Sequence, residues 1–178
     1  QGLREAGELM GREKGHYVFS PDDARGTGRE ETLANLIYGP SCISLEYALS
    51  YYGLIPERVE TITSITPKRD KIFKTPLGTF TYRFLTNEKY REGIELLWLD
   101  PQHPILIASP EKALADYIVL NKIRSIKTKA EAKLFLEEDL RVDSSDWKRF
   151  NFLKLQRLNR LYRSESVNRV AEFLEKTR

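Results

Sequence analysis

The chain has 178 residues, 40% of them hydrophobic and 31% charged, so it can fold around one hydrophobic core and is too apolar for a disordered tail. Its net charge of +3 indicates no particular partner, and its apolar runs are far shorter than the roughly 20 residues that cross a bilayer, so we expect no membrane partner. The only cysteine is Cys42, which excludes an internal disulfide and favours the reducing cytoplasm.

The first thirty residues predict a β-hairpin followed by a loop. The chain begins with Gln1 rather than Met, so we expect it to start inside a longer polypeptide. The run "LMGREKGHYVFS" (9–20) has β-prone residues after a polar, basic turn with two glycines, which predicts two short strands. The very polar run "SPDDARGTG" (20–28) predicts an exposed loop, and we place a linker at residues 21–30.

Two helices and five strands are predicted between residues 29 and 109. The run "REETLANLIY" (29–38) has acidic residues early and leucines at helical spacing. The run "LEYALSYY" (45–52) predicts a second helix, with Ser44 as its N-cap and Gly53 after its end. Strands are predicted within residues 59–66, 68–74, 75–85, 93–99 and 104–109.

After residue 109 the hydrophobic residues follow the period of helices. Ser109 as N-cap and Pro110 at the first helical position predict a helix over 109–122. We assign Glu111 to the helix dipole and Asp116 to a local structural role, because their side chains point about 140° apart on a helix. Further helices are predicted over 127–140, 144–163 and 164–177. Strands followed by helices indicate an α+β fold, with a small, mostly antiparallel sheet covered by a helical C-terminal half.

The predicted helix over 144–163 is the most informative charged element. It has no acidic residue between Trp147 and Arg163, and at about 100° per residue its apolar side chains share one side. Either its cations are solvated and balance the nearby acidic run "EEDL", or they form a ridge that contacts nucleic-acid phosphates. Its basic residues are Lys148, Arg149, Lys154, Arg157, Arg160 and Arg163.

A second basic cluster lies between two of the predicted strands. Pro67 ends the strand within 59–66, and the charged run "KRDKIFK" (68–74) follows it. The cluster consists of Lys68, Arg69, Lys71 and Lys74. If the C-terminal cations contact phosphates, this cluster is a candidate to extend their surface. That requires the two clusters to lie next to each other in the folded chain.

No complete catalytic or metal-binding motif is present. The two histidines, His16 and His103, and the single Cys42 do not make up a zinc-ligand set. The "GTG" at 26–28 lacks the spacing and the Lys-Ser/Thr end of a phosphate-binding loop. The pair Glu131 and Lys133 has the spacing of some nuclease sites, but no Asp-bearing strand precedes it. We therefore expect no catalytic residues, metal ligands or cofactor, and a metal-dependent nuclease is the least favoured function.

Four blocks in chain order connect the sequence to a known family. They are a helix with "SCISLEYALSYYGL", a strand followed by a basic segment, the hairpin "TPLGTFTYRF" and the helix "PEKALADY". This order, over residues 41–85 and 107–120, resembles the AbiEi-type antitoxins, which are the antitoxin and regulator half of the AbiE abortive-infection, type IV toxin–antitoxin systems. One departure is Glu46-Tyr47, where many members carry smaller residues.

The resemblance implies a DNA-binding antitoxin that represses its own operon at operator DNA and counteracts a cognate nucleotidyltransferase toxin. It implies that residues 1–20 are the remnant of a winged helix-turn-helix, mostly its wing, and that 31–178 form the antitoxin domain. The wing would place Arg12, Lys14 and His16 at DNA. With the two basic clusters, the candidate DNA-binding residues are Arg12, Lys14, His16, Lys68, Arg69, Lys71, Arg149, Arg157, Arg160 and Arg163. A protein-interaction domain that has lost DNA binding is the main alternative.

Overall fold

The computed structural model describes residues 9–13, 16–19 and 29–177. Strands β1 (Leu9–Glu13) and β2 (His16–Phe19) pair antiparallel, which confirms the predicted hairpin. Lys14 and most of the predicted linker lie outside the described residues. The first described helix begins at Arg29, two residues before the predicted start of the antitoxin domain.

Six further strands form one sheet in the order β5-β6-β4-β3-β8-β7. Three of its neighbouring pairs are antiparallel, β5 with β6, β3 with β4 and β7 with β8, and two are parallel, β4 with β6 and β3 with β8. The strands are β3 (Cys42–Ile43), β4 (Ile62–Thr66), β5 (Lys71–Thr75), β6 (Gly78–Phe84), β7 (Ile94–Trp98) and β8 (Pro104–Ala108). The five predicted strands are thus confirmed, and β3 is additional.

Strand β3 was not predicted because two residues are too few to show an alternation. It nevertheless lies at the centre of the sheet, where Cys42 and Ile43 are both fully buried. Beside it, the side-chain amide of Asn35 accepts a hydrogen bond from the Leu106 backbone N–H at 2.7 Å and donates to its carbonyl oxygen at 3.2 Å. A side chain therefore satisfies backbone groups of β8 that the short strand leaves unpaired.

Helices surround this sheet, and most follow the predicted pattern. They are α1 (Arg29–Ile37), α2 (Leu45–Tyr51), α3 (Asn87–Arg91), α4 (Pro110–Leu120), α5 (Lys129–Leu134), α6 (Phe152–Tyr162) and α7 (Glu165–Glu175). A π-helical turn (Phe135–Asp139) continues α5, and a 3₁₀ helix (Ser144–Arg149) precedes α6. Within the described residues, no helix combines the length and hydrophobicity of a bilayer span.

The sheet is covered on both faces. Tyr82 and Arg83 are adjacent on β6, so their side chains point to opposite faces. The Tyr82 hydroxyl donates to the carbonyl oxygen of Ala34 on α1 at 2.6 Å, whereas Arg83 donates to that of Leu120 on α4 at 2.9 Å. Helices α1 and α4 therefore lie on opposite faces, and the chain has the predicted α+β architecture.

The prediction of one continuous helix over 144–163 is wrong. The backbone of Phe150 is extended, and its side chain is buried in the core. Asn151 then starts α6, because its side-chain oxygen accepts hydrogen bonds from the backbone N–H groups of Leu153 and Lys154. Burial of one aromatic residue and an asparagine N-cap thus separate Lys148 and Arg149 from the other four cations of the predicted ridge.

Candidate nucleic-acid interface

A closed polar network lies beneath helix α4. Lys112 and Asp116 are one helical turn apart, their side chains are fully inaccessible to solvent, and Lys112 Nζ lies 3.3 Å from Asp116 Oδ1. The Lys112 ammonium also donates to the Lys89 carbonyl oxygen and to the Tyr162 hydroxyl, both at 2.8 Å. Tyr162 in turn donates to Asp116 Oδ1, and Ser44 donates to Asp116 Oδ2 at 2.6 Å. Each polar atom of the ion pair therefore has a partner.

This network connects elements that are far apart in the chain. It joins α4 to the start of α2, to α3 and to the last turn of α6. Burial raises the pKa of the Asp116 carboxyl, while the Lys112 charge and the hydrogen bonds from Ser44 and Tyr162 oppose that shift. Asp116 therefore has a structural role, but it is not the local one predicted, because its partners Ser44 and Tyr162 are 72 and 46 residues away in the chain. Ser44 donates to Asp116 instead of capping α2 with its side chain.

Sequence reasoning missed Lys112, although a visible signal was present. A Lys and an Asp four residues apart, both among Ala and Leu, sit on the buried side of an apolar helix. Glu111, assigned to the helix dipole, is also buried, and its Oε1 accepts a hydrogen bond from the Asn151 N–H at 2.7 Å. It therefore helps to fix the start of α6 as well.

Half of the six cations of the C-terminal ridge are engaged by nearby acids. Arg157 Nε lies 2.8 Å from Glu92 Oε1, and Arg149 Nη1 lies 3.1 Å from Asp146 Oδ1. Lys154 Nζ lies 3.9 Å from Glu95 Oε1 on β7. The balancing acids are therefore not those of the "EEDL" run. Arg160 and Arg163 are exposed, and neither forms an ion pair with another described residue.

The two basic clusters lie at opposite edges of the sheet. Lys71 and Lys74 belong to edge strand β5, whereas the cations of α6 pair with acids on or just before the other edge strand, β7. Five strand spacings of about 4.8 Å separate the two edges by roughly 24 Å. The clusters therefore do not form one continuous surface.

Aromatic side chains join the cluster at the β5 edge. A groove of about 520 Å³ is lined by Tyr38, Pro67, Lys68, Arg69 and Phe84, and we call these residues, together with Lys71, the basic-aromatic patch. Lys68 Nζ lies 5.2 Å from the centroid of the Tyr38 ring, and the Phe84 side chain is 48% exposed. The groove thus offers positive charge beside open ring surface, which suits phosphates and bases.

The patch contains residues that sequence reasoning did not select. Tyr38 packs on Tyr82 with ring centroids 5.2 Å apart, which fixes it beside the groove. Phe80, Tyr82 and Phe84 alternate along β6 and share one face; the first two are buried, whereas Phe84, the last residue of the strand, is exposed. A nearby acid, Asp70, accepts a hydrogen bond from the Phe84 N–H at 2.6 Å and lies 3.9 Å from Arg83 Nε. It is therefore partly neutralised.

The remaining candidates are the three residues of the predicted wing and the pair Glu131 and Lys133. Arg12 and His16 lie on the paired strands β1 and β2, and Lys14 lies outside the described residues. Glu131 accepts hydrogen bonds from two backbone N–H groups and forms a capping box with Thr128, which lowers the pKa of its carboxyl. Lys133 lies 3.8 Å from Glu137. Among the described residues, no three His, Cys, Asp or Glu side chains gather where they could bind a metal.

The blocks that carry the resemblance to AbiEi-type antitoxins contact one another. Ser44 of the first block donates a hydrogen bond to Asp116 of the fourth block. Arg83 of the hairpin block donates to the carbonyl oxygen of Leu120, at the end of the helix α4 that contains the fourth block. Comparison of the chain with models of protein families and with curated proteins gives no match. The family assignment therefore stays a prediction that rests on these motifs.

Proposed function

We propose that this protein is a DNA-binding antitoxin of the AbiEi type, which represses its own operon and counteracts a nucleotidyltransferase toxin in the cytoplasm. The observation that supports DNA binding most is the basic-aromatic patch, where Lys68 and Arg69 share a groove with the exposed ring of Phe84, and Lys71 follows on the neighbouring strand β5. The toxin partner follows from the family resemblance. No catalytic residue is part of the proposal.

In this proposal the patch supplies affinity that is independent of base sequence. Exposed Lys and Arg side chains displace the counterions of DNA phosphates, and this accounts for most non-specific binding. The ring of Phe84 adds a surface on which an unstacked base can lie. The cations of the C-terminal ridge contribute less, because Arg149 and Arg157 are already paired with acids. The wing candidates Arg12, Lys14 and His16 remain proposed DNA contacts.

Charge reversal in the patch tests this proposal. We expect the triple variant Lys68→Glu/Arg69→Glu/Lys71→Glu to lose about tenfold or more in affinity for the upstream promoter DNA, because each lost phosphate contact removes counterion release. The slope of log affinity against log salt should also become shallower by about 2 to 3. Fluorescence anisotropy over a series of salt concentrations measures both quantities.

The control carries the same change of charge elsewhere. Arg91, Lys133 and Lys176 are exposed and lie outside both the patch and the C-terminal ridge, so reversing all three changes the net charge equally. We expect the patch variant to lose far more affinity than this control. Equal losses would mean that DNA responds to net charge alone, and an unchanged slope in the patch variant would place the interface elsewhere.

A second candidate function, a protein-interaction domain, is favoured by strand β7. It is an edge strand that exposes Leu96 by 56% and Trp98 by 61% at alternate positions, and therefore on one face. Their partners on β8 are Leu106, half-buried, and Pro104, exposed. Apolar side chains exposed on an edge strand are typical of a surface that another protein covers.

Lysine substitutions on β7 separate the two functions. If β7 contacts the toxin, Leu96→Lys/Trp98→Lys should abolish protection of cells that co-express the nucleotidyltransferase encoded beside this protein, while DNA affinity stays within about twofold of the parent. Leu134→Lys is the control, because Leu134 is similarly exposed on α5. Full protection by the β7 variant would exclude this strand as the toxin contact.

A further inference from the structure

A cationic pocket lies on the helical side of the molecule. Its volume is about 360 Å³, and it is formed by the chain that follows α4 and by the junction between α6 and α7. Apolar side chains, among them Ile118 and Ile123, line part of it. The lining residues do not overlap the basic-aromatic patch, although they include Arg163, a candidate DNA-binding residue, so the inference below is tested separately from DNA binding by the patch.

The charge of this pocket is strongly positive. Four cations and one acid line it, for a net charge of +3, namely Lys122, Arg124, Lys127, Arg163 and Glu165. Glu165 is neutralised locally, because Lys127 Nζ lies 2.6 Å from its Oε2 and this contact lowers the pKa of its carboxyl. Lys122, Arg124 and Arg163 are exposed and form no ion pair with another described residue. Three positive charges are therefore free to meet an anion.

The N-terminus of helix α7 adds hydrogen-bond donors. The helix has 11 residues, and Ser164 precedes it as the N-cap, with its hydroxyl accepting from the Val167 N–H. The N–H groups of Glu165 and Ser166 belong to the first turn, where an α-helix provides no acceptor. Both residues line the pocket, so the positive end of the helix dipole is at its wall.

The side chain of Ser166 adds a hydroxyl donor to the wall of the pocket. Ser166 is only 3% exposed, it lines the pocket, and its hydroxyl has no hydrogen-bond partner among the described residues. Its oxygen is not among the atoms closed off from solvent without a partner, so the hydroxyl is accessible from the pocket and can donate to a bound acceptor. Ser166 thus provides one donor beside the helix N-terminus and the three free cations.

We propose that this pocket binds a phosphate group, carried either by a nucleotide or by a nucleic-acid backbone. The Ser166 hydroxyl and the first N–H groups of α7 donate to the phosphate oxygens, and Arg163, Lys122 and Arg124 neutralise its charge. The volume lies within the usual range for small-molecule sites, about 300 to 1,000 Å³, and so admits a sugar attached to the phosphate.

The test is an NMR titration of the ¹⁵N-labelled protein with inorganic phosphate at constant ionic strength. We expect saturable shifts of the amide signals of Glu165, Ser166 and Val167. The double variant Lys122→Asn/Arg163→Asn should raise the dissociation constant about tenfold or more, since it removes two of the three free charges. Both positions have left-handed backbones, with φ of 56° and 51°, which asparagine tolerates, so the fold should survive.

Arg141→Asn is the matched control, because Arg141 is an exposed residue outside the pocket with φ of 52°. It should bind phosphate like the parent, and Ser166→Ala should bind more weakly. Absence of saturable shifts in the parent, or equal binding by the double variant and Arg141→Asn, would overturn the proposal.

Two further probes identify the source of the phosphate. Tighter binding of adenosine 5′-monophosphate indicates a nucleotide, and tighter binding of an oligothymidylate without terminal phosphates indicates a nucleic-acid backbone. If neither probe shifts these three amides, the proposal is also overturned.

Discussion

Replacing Asp116 by alanine should lower the free energy of unfolding by about 3 to 5 kcal/mol, because it leaves the buried Lys112 ammonium without its counter-ion. The hydroxyls of Ser44 and Tyr162 lose their acceptor at the same time. Urea denaturation followed by circular dichroism measures the loss. A change below about 1 kcal/mol would show that the network contributes little to stability.

The double variant Lys112→Met/Asp116→Leu tests whether stability depends on the ion pair itself or only on side chains that fill the same volume. Apolar residues of similar volume often replace a buried ion pair at little cost, so we expect the double variant to recover most of the loss. If instead it is as unstable as Asp116→Ala, the hydrogen bonds to Ser44, Tyr162 and Lys89 are the important part. Either variant, where folded, should keep the DNA affinity of the parent, since the network lies outside the basic-aromatic patch.

Replacing Gly93 by alanine should destabilise the fold by about 2 to 4 kcal/mol, through left-handed strain and overpacking together. Gly93 has φ of 79°, and a Cβ atom there would lie 3.0 Å from both Cβ and Cδ of Lys112. Lys112 cannot move away easily, because three partners hold its ammonium group. Thermal and urea unfolding both measure this loss.

The variant Gly53→Ala separates the cost of left-handed strain from the cost of overpacking. Gly53 also has a left-handed backbone, with φ of 64°, but an added Cβ would meet no atom within 4 Å. It should therefore cost only the strain, about 1 to 2 kcal/mol. Equal losses for the two variants would mean that Lys112 accommodates the new methyl group and that the network is not rigid.

The two basic clusters differ in how well the sequence alone predicts a functional surface. The residues Lys68, Arg69 and Lys71 could be selected from charge alone, and the structure places Lys68 and Arg69 in one groove with Tyr38 and Phe84, and Lys71 over the ring of Phe73. For the C-terminal ridge, charge alone could not predict which cations are free to bind DNA. Arg149 meets the Tyr52 carbonyl oxygen 97 residues earlier in the chain, and Arg157 meets Glu92, so their engagement depends on tertiary packing.

The sequence by itself determined the order and type of nearly every element, because alternation, helical spacing and caps such as Ser109 act between neighbouring residues. Only the tertiary structure decided what depends on contacts between distant residues. These contacts interrupt the predicted helix over 144–163 at Phe150. They also bury Lys112 together with Asp116, and they place Ser166 on the wall of a cationic pocket. Burial and pairing of polar groups depend on the whole fold, and local periodicity carries no information about them.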